Sequence, residues 1–423
     1  MSDDLARPAD ANTRMRPWSA LRNRNFALLW TGETVSTFGD QIFPVAVTIA
    51  ALNAGANATE LGIILAARLL SLVLFALIGG VWADRLPRRV VMMSADVVRG
   101  VTVLCLALLP HQPVWVLMLL VFIVGAGEAF FHPAENALIP SLLTKELLPP
   151  ANALNSITFR AMTIIGPALG GVIVATAGVH WAYFVDVCTF AVSFGFVWFV
   201  REPMRAMTSD VRDSTFLADL ADGFKELRRH VWAVAVIASS AILIMCVFAP
   251  QSVLLPIVSR STFHTTTVYT LSLAAMGVGG IIGAIVASSW VPRRTGLVSL
   301  ILGLLFAAVP LALAFASSRY VIMAAYFVGG FGFEPFNVWW VSAIQKGIDP
   351  DKLARVSSID WMASFALFPL GLALTGPATQ ALGLTTVLVA GAIILVVASL
   401  AVLFVPGVMT LSDDRLALPE PSA

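Results

Sequence analysis

The residues with the most chemical capacity are ionisable groups set within long apolar runs: Glu33, Asp40, Arg68, Glu128, Arg160 and Glu334. A charged side chain at mid-membrane costs roughly 2.5–3.5 kcal/mol on insertion scales, so such groups face a cavity or one another. Counting about 1.5 Å per helical residue from the ends of the runs gives their depth. Asp40 and Arg68 fall at similar depth in the outer half, on the first and second runs, where they can pair. Glu33, Glu128 and Arg160 fall roughly 10–15 Å from the inner side, on runs one, four and five. One arginine between two carboxylates leaves one carboxyl with the balance of attraction and repulsion that proton uptake and release require. Glu334, near Trp339 and Trp340, is the acidic candidate of the second half. Asp96 and Arg99, three apart, read as a local helical pair, and Asp186 reads as structural. The competing reading of Glu33, Asp40 and Glu128 is a static set of buried ion pairs that fixes helix register.

Other chemistries find little support. The histidines His111, His132, His180, His230 and His264 are scattered. The cysteines Cys105, Cys188 and Cys246 sit in apolar runs, as packing residues do. No disulfide framework, metal site or G-x-x-x-x-G-K-[ST] phosphate loop is expected. Glycine and proline recur inside the runs, as at Gly39, Pro44, Pro250, Pro256 and Gly279. Small residues permit close helix contact, and proline frees backbone groups that a neighbour must satisfy. Moving helices need both, although plain tight packing accounts equally well for the glycines near 280.

The elements that must position these groups are membrane helices. Of 423 residues, 58% are hydrophobic and only 12% charged, with mean hydropathy +0.88. So few charges cannot cover a soluble surface of this size, which excludes a water-soluble domain. A span needs about 20 apolar residues. Twelve candidates occur, at about 26–51, 60–82, 90–109, 114–135, 151–177, 181–200, 231–257, 267–290, 297–316, 320–344, 356–380 and 384–405. With the N-terminus inside, all but five of the 26 Lys and Arg residues lie in the tails and inner loops. The exceptions are Arg260 and Arg319 outside and Arg68, Arg99 and Arg160 within helices. That bias fits the positive-inside rule and an even number of spans. The expected organisation is a cytoplasmic tail (1–25), a six-helix bundle (26–200), a linker (201–230), a second bundle (231–406) and a cytoplasmic tail (407–423).

The halves echo each other. Ala83 to Arg89 (ADRLPRR) is matched by Ser288 to Arg294 (SSWVPRR), Gly166-Pro167-Ala168 by Gly376-Pro377-Ala378, and Glu128 by Glu334, at shifts of 205 to 210 residues. Six helices return the chain to its starting side, so the repeat is parallel, about an axis along the membrane normal.

Gly79 to Arg89 (GGVWADRLPRR) resembles the loop between helices two and three of the major facilitator superfamily, G-x-L-A-D-R-x-G-R-R, with Pro87 and Trp82 as departures. Gly166-Pro167-Ala168-Leu169-Gly170-Gly171 resembles the G-P-x-x-G-G motif of proton-coupled drug antiporters, with Met162 where a further glycine is usual. Phe131 to Pro140 (FHPAENALIP), Ala151 to Ser156 (ANALNS), Arg355 to Ser358 (RVSS) and Ser36 to Asp40 (STFGD) are similar to the enterobactin-exporter and macrolide-efflux branch. The helix-four arginine of the antiporter pattern is replaced by Val121, which leaves its part to Arg68 or Arg160.

The resemblance implies an all-α membrane protein of twelve transmembrane helices in two pseudo-symmetric six-helix bundles, in a bacterial inner membrane with both termini cytoplasmic. It implies proton-coupled export of a small amphipathic molecule, a drug or siderophore, by alternating access. Gly80, Asp84, Arg85, Arg88 and Arg89, joined by Asp360, would latch the bundles together in the outward-facing state. Gly166, Pro167, Gly170 and Gly171 would form the antiporter element. The expected partners are the substrate, protons and lipid, around a monomer without cofactor, metal or nucleic acid. An uptake symporter, the permease subunit of an ATP-driven pump and a membrane-embedded enzyme are the alternatives.

Overall fold

The computed structural model describes residues 17–109, 112–202 and 223–411, which leaves most of the linker and both tail ends outside the described residues. Among the described residues the chain is helical, with twelve helices long and apolar enough to cross a membrane. They are α1 (Arg24–Asn53), α2 (Ala58–Arg85), α3 (Arg88–Leu108), α4 (Val114–Leu142), α5 (Leu148–Ala177) and α6 (Val179–Phe199) in the first half. The second half holds α7 (Val231–Ser261), α8 (Thr267–Ser289), α9 (Thr295–Phe315), α10 (Arg319–Gly347), α11 (Arg355–Leu382) and α12 (Leu384–Val402).

Local chemistry explains the ends. Asn23 accepts from Phe26 N at 3.1 Å to start α1, and Asn57 with Glu60 forms a capping box at the start of α2. Gly178 (φ 92°) turns α5 into α6, and Gly383 (φ 85°) turns α11 into α12. Only glycine adopts that backbone freely. These two turns stand 205 residues apart, so the internal repeat extends to the corners. Helix α4 runs on to Leu142, past the expected end near 135, because Pro133 and Pro140 sit within it without ending it. Three spans are irregular: α7 has a π-helical turn at Ile244–Phe248, α9 a 3-10 turn at Leu304–Ala307, and α11 breaks between Phe365 and Phe368.

Within the first half, α1 packs on α5 and α6, α2 on α4, and α3 on α4 and α6. In the second, α10 packs on α8 and α9, and α12 on α9 and α11. The halves meet chiefly through α2 against α11 and α5 against α8, the pairing expected of a two-fold repeat. One buried cluster, from Ile42 and Leu61 to Leu255 and Tyr326, spans both halves. Toward the side bearing the termini the core divides in two, one part around Phe26, Met92 and Leu138, the other around Trp232, Trp339 and Val356. The bundles are therefore joined on the far side and parted on the tail side.

Candidate functional site

The parting of the bundles leaves a cleft of about 670 Å³. Its first-half wall carries Glu33, Asp40, Arg68, Glu128 and His132, and its second-half wall carries Gln251, Tyr269 and Trp361. At its floor, Tyr269 and Thr48 line the cleft from opposite halves. The far-side seal below is made of small residues at close approach: Gly62 on Leu372, Gly171 on Thr270, and Gly376 on Thr59. Two hydrogen bonds finish it, a charge-assisted one from Arg260 to Asn53 at 3.0 Å and a neutral one from Gln380 to Thr59 at 3.2 Å.

Two helices of the first half carry carboxyls in the same pattern. Glu33 and Asp40 on α1, and Glu128 and Glu135 on α4, are each seven residues apart. That is two turns, so each pair lies on one face, about 10 Å apart along the axis. The far-side members are held by arginines. Arg68 donates to Glu128 Oε1 through Nη2 at 2.6 Å and Nε at 2.9 Å. Gly125 makes this possible, since its missing side chain lets α4 rest on the Arg68 carbonyl and Ser71. Arg99 donates to Asp40 at 3.1 and 3.3 Å and to Asp96 Oδ1 at 2.6 Å. Ser193 donates to Asp96 Oδ2 at 2.8 Å. The Arg99 guanidinium is fully buried between the rings of Phe131 and Phe190, each 4.5 Å from it.

The tail-side members meet each other. Glu33 and Glu135 are within hydrogen-bond reach, and Glu33 Oε2 is buried without another partner among the described residues. Two carboxyls can share a hydrogen bond only if one of them carries a proton, since an ionised carboxylate offers no donor. His132 Nδ1 lies 3.6 Å from Glu135 Oε2 and borders the cleft. This corner can therefore hold a proton beside the open cavity.

Several sequence expectations change. Asp40 does not pair with Arg68: each has its own partner, because Arg99 reaches Asp40 first from α3 and Arg68 points to α4. Arg160 does not sit between Glu33 and Glu128. It reaches from α5 in the first half to Glu334 on α10 in the second, with Nη1 2.5 Å from Oε1. Glu334 also accepts from Asn337 at 3.2 Å. Asp186 is fully buried, accepts from Thr189 and lies within electrostatic reach of Asp40, Arg99 and Arg68, so it belongs to the charge cluster. Asp96 and Arg99 form the local pair expected of them, and Arg99 reaches Asp40 as well; Glu135 and His132 are not among the expected site residues. The signal for Arg99 was available: Met92, Asp96, Arg99 and Val103 form one buried stripe on α3, while Val97, Val98 and Val101 face outward.

The motif residues are placed as follows. Gly166 and Gly170 let α5 approach Gln41 and Ile42 of α1, and Gly171 receives Thr270 of α8. Pro167 sits within α5. Arg88 donates to the Ala137 carbonyl at 2.6 Å and Arg89 to the Val200 carbonyl at 3.3 Å, while the two backbone N–H groups donate to Glu202. Asp360 accepts from Trp340 Nε1 at 2.8 Å. Gly80, Asp84 and Arg85 lie at the end of α2, and their side chains fall outside the described residues.

Comparison with known proteins agrees with this architecture. The sequence profile of the Major Facilitator Superfamily matches residues 29–371. Macrolide efflux protein A of Streptococcus pyogenes is 24% identical over 364 residues, covering 83% of this chain and 88% of that protein. The multidrug efflux pump Tap of Mycobacterium tuberculosis is 27% identical over 411 residues, covering 92% and 96%. A bacterial homolog of the human lysosomal transporter Spinster, solved in an inward-facing, unoccupied conformation, superposes with a TM-score of 0.69 at 16% identity, covering 92% of this chain and 97% of that one.

Proposed function

Because the chain belongs to the major facilitator superfamily, and is thus a multi-pass membrane transporter rather than an enzyme, we propose that it exports small amphipathic molecules in exchange for protons. The observation that carries this reading is the Glu33–Glu135 carboxyl pair, whose Glu33 lines a largely apolar cleft closed at one end while Glu135 is buried behind it. The cleft suits an amphipathic guest, which loses little hydration on entering it. The pair supplies a proton site that the arginine-bound Asp40 and Glu128 do not. A guest and a proton that compete for one cleft are exchanged when the bundles rock, since each occupant lowers the affinity for the other. Arg68, facing Glu128 beside Val121, supplies from α2 the guanidinium that the antiporter pattern draws from helix four. The names of the relatives favour macrolide-like or other drug cargo, with a siderophore as the further candidate.

The tail side is read as cytoplasmic, in a bacterial inner membrane, on the distribution of lysine and arginine. The chain acts as a monomer. In the opposite, outward-open state Asp84 and Arg85, with Arg88 and Arg89, meet the tail-side end of α11 near Asp360. The helix N-terminus there favours an anion. Cysteines placed at Gly80 and Ser357 test the latch: disulfide yield must rise when the outward-open state is enriched.

Everted vesicles given a pH step and a panel of amphipathic amines test the main reading. Wild type accumulates a subset of them, Glu33→Gln and Glu135→Gln lose the pH-driven part, and Asp40→Asn is the comparison that separates the two carboxyl groups. Accumulation that follows ATP with the pH gradient collapsed would refute proton exchange.

A further inference from the structure

A second cavity, about 360 Å³, lies inside the second bundle between α7, α9, α10, α11 and α12. It is distinct from the cleft, but Trp361 borders both. All three irregular spans lose regular geometry where they wall it. Ile244 and Phe248 of the π-turn line it, as do Phe306 of the 3-10 turn and Phe365 at the break in α11. Irregular turns disturb backbone hydrogen bonds that lipid cannot replace, and π-turns concentrate at functional sites. Protein interiors hold few voids larger than a water molecule. A void of this size framed by three such turns is a constructed chamber.

Its walls are aromatic. Phe248 stacks on Phe306 at 4.5 Å, Phe333 leans on both at 5.0 and 5.9 Å, and Phe336 stacks on Trp340 at 5.9 Å. Among the rings stands the Asp360 carboxylate. Its two hydrogen-bond donors, Trp340 Nε1 and Ser364 Oγ, are both neutral. A negative group ringed by π faces is complementary to an organic cation, which both attract. Trp361, 59% exposed and stacked on Phe365 at 5.1 Å, stands between chamber and cleft.

We propose that this chamber is a binding site for an aromatic organic cation, entered from the cleft past Trp361. Its use as a holding site for cargo rests on the export reading; the binding does not. Gly303 provides a clean probe. It lines the chamber, a Cβ added there meets nothing within 4 Å, and its backbone is helical, so a larger side chain fills the void without strain.

The experiment measures equilibrium binding of ethidium and of the neutral N-phenyl-1-naphthylamine to the purified full chain in lipid nanodiscs, without a pH gradient. Gly303→Leu is expected to remove one equivalent of bound ethidium while leaving Tm at or above that of wild type. Asp360→Asn is expected to weaken ethidium at that site by roughly tenfold, a change of about 1.4 kcal/mol, and to leave the neutral probe within about twofold. Ethidium binding unchanged in Gly303→Leu overturns the proposal. So does native mass spectrometry showing a phospholipid that leaves in Gly303→Leu while ethidium stays, which would make the occupant an acyl chain. Equal loss of both probes in Asp360→Asn overturns the choice of a cation. Binding lost in Gly303→Leu with no pH-driven transport in any variant or in wild type refutes the export reading alone.

Discussion

Replacing Arg99 with methionine tests the first-half charge cluster most severely. The side chain is fully buried, and methionine fills similar space without charge. Its loss removes the donors to Asp40 at 3.1 Å and to Asp96 at 2.6 Å, together with two ring contacts at 4.5 Å. Asp96 keeps only Ser193, and Asp40 keeps no hydrogen-bonded cation, only the more distant charge of Arg68. Stranding one partner of a buried ion pair costs about 3–5 kcal/mol. Cation–π contacts in a desolvated site add roughly 1–2 kcal/mol. The total is a large share of a typical folding free energy of about 5–15 kcal/mol. The expected result is a Tm lower by many degrees, or failure to recover folded protein. Arg99→Met combined with Asp96→Asn and Asp40→Asn removes the stranded charges and should recover most of the loss. Thermal unfolding in one detergent, followed by tryptophan fluorescence, reads the whole series. If Arg99→Met unfolds within a degree or two of wild type, the cluster does not hold the bundle together and the electrostatic account of the first half is wrong.

Arg160→Ala should behave in the opposite way. In the pair with Glu334 the Arg160 side chain is half-exposed, and exposed pairs are worth about 0–1 kcal/mol, so Tm should barely move while vesicle transport rates change; a large fall in Tm would contradict the placement. Gly376→Val should drive the far-side ends apart, because a Cβ there collides with Thr59 backbone, and a cysteine at Thr48 should then become reactive to a membrane-impermeant reagent from the far side. At the tail-side end of α7, Glu226 accepts from Lys352 at 2.7 Å and from Arg229 at 3.0 Å, with His230 close by. The Lys352 hydrogen bond, aided by the charges of Lys352 and Arg229, holds the Glu226 carboxyl below its ordinary range. A carboxyl lowered in the folded state stabilises it fully above the unfolded value of about 4.3, and the gain fades as pH falls through the lowered value. The Tm advantage of wild type over Glu226→Gln should therefore be present near neutral pH and vanish in acid; an advantage that grows on acidification would refute the sign.

Most of the architecture was legible in the sequence because hydrocarbon imposes a simple code. Apolar length marked the spans, and the side preference of Arg88, Arg293 and Lys346 marked the loops. The carboxyl site was half legible. Depth follows from counting residues, so Glu33 and Glu128 could be placed in height. Direction around the helix and the identity of the facing helix do not follow from counting. Counting therefore groups Arg160 with Glu33 and Glu128, whereas the folding of α5 against α8 brings it to Glu334 of the other half. The seven-residue spacing of Glu33 with Asp40, and of Glu128 with Glu135, was present all along; reading Glu135 as the end of a helix hid it. Asp96 and Arg99 satisfy a local rule, which conceals that Arg99 has a second partner, Asp40, on another helix.

The distribution of bond strength agrees with a machine that rocks. Within the first bundle, Arg99 and Arg68 are clamped by short, buried ion pairs to α1, α3 and α4. Moving those helices relative to one another would strand charges in a medium of low dielectric, at several kcal/mol per pair. Between the bundles the contacts are of another kind. The seal rests on glycine approaches and two exposed hydrogen bonds without a carboxylate partner, and the ion pair that crosses, Arg160 to Glu334, is partly exposed. Contacts of that sort exchange for water or for a symmetric set at little net cost. The helix repeat offers such a set on the tail side, where Arg88, Arg89 and Asp360 are bound within their own bundles. On the proposed exchange mechanism, a free-energy difference of a few kcal/mol between the two closures is within reach of one proton on Glu33–Glu135 or one guest in the cleft, and ligands can shift an equilibrium only by differences of that size. Strong bonds inside the bundle and weak ones between the bundles are what let so small an input choose the side that opens.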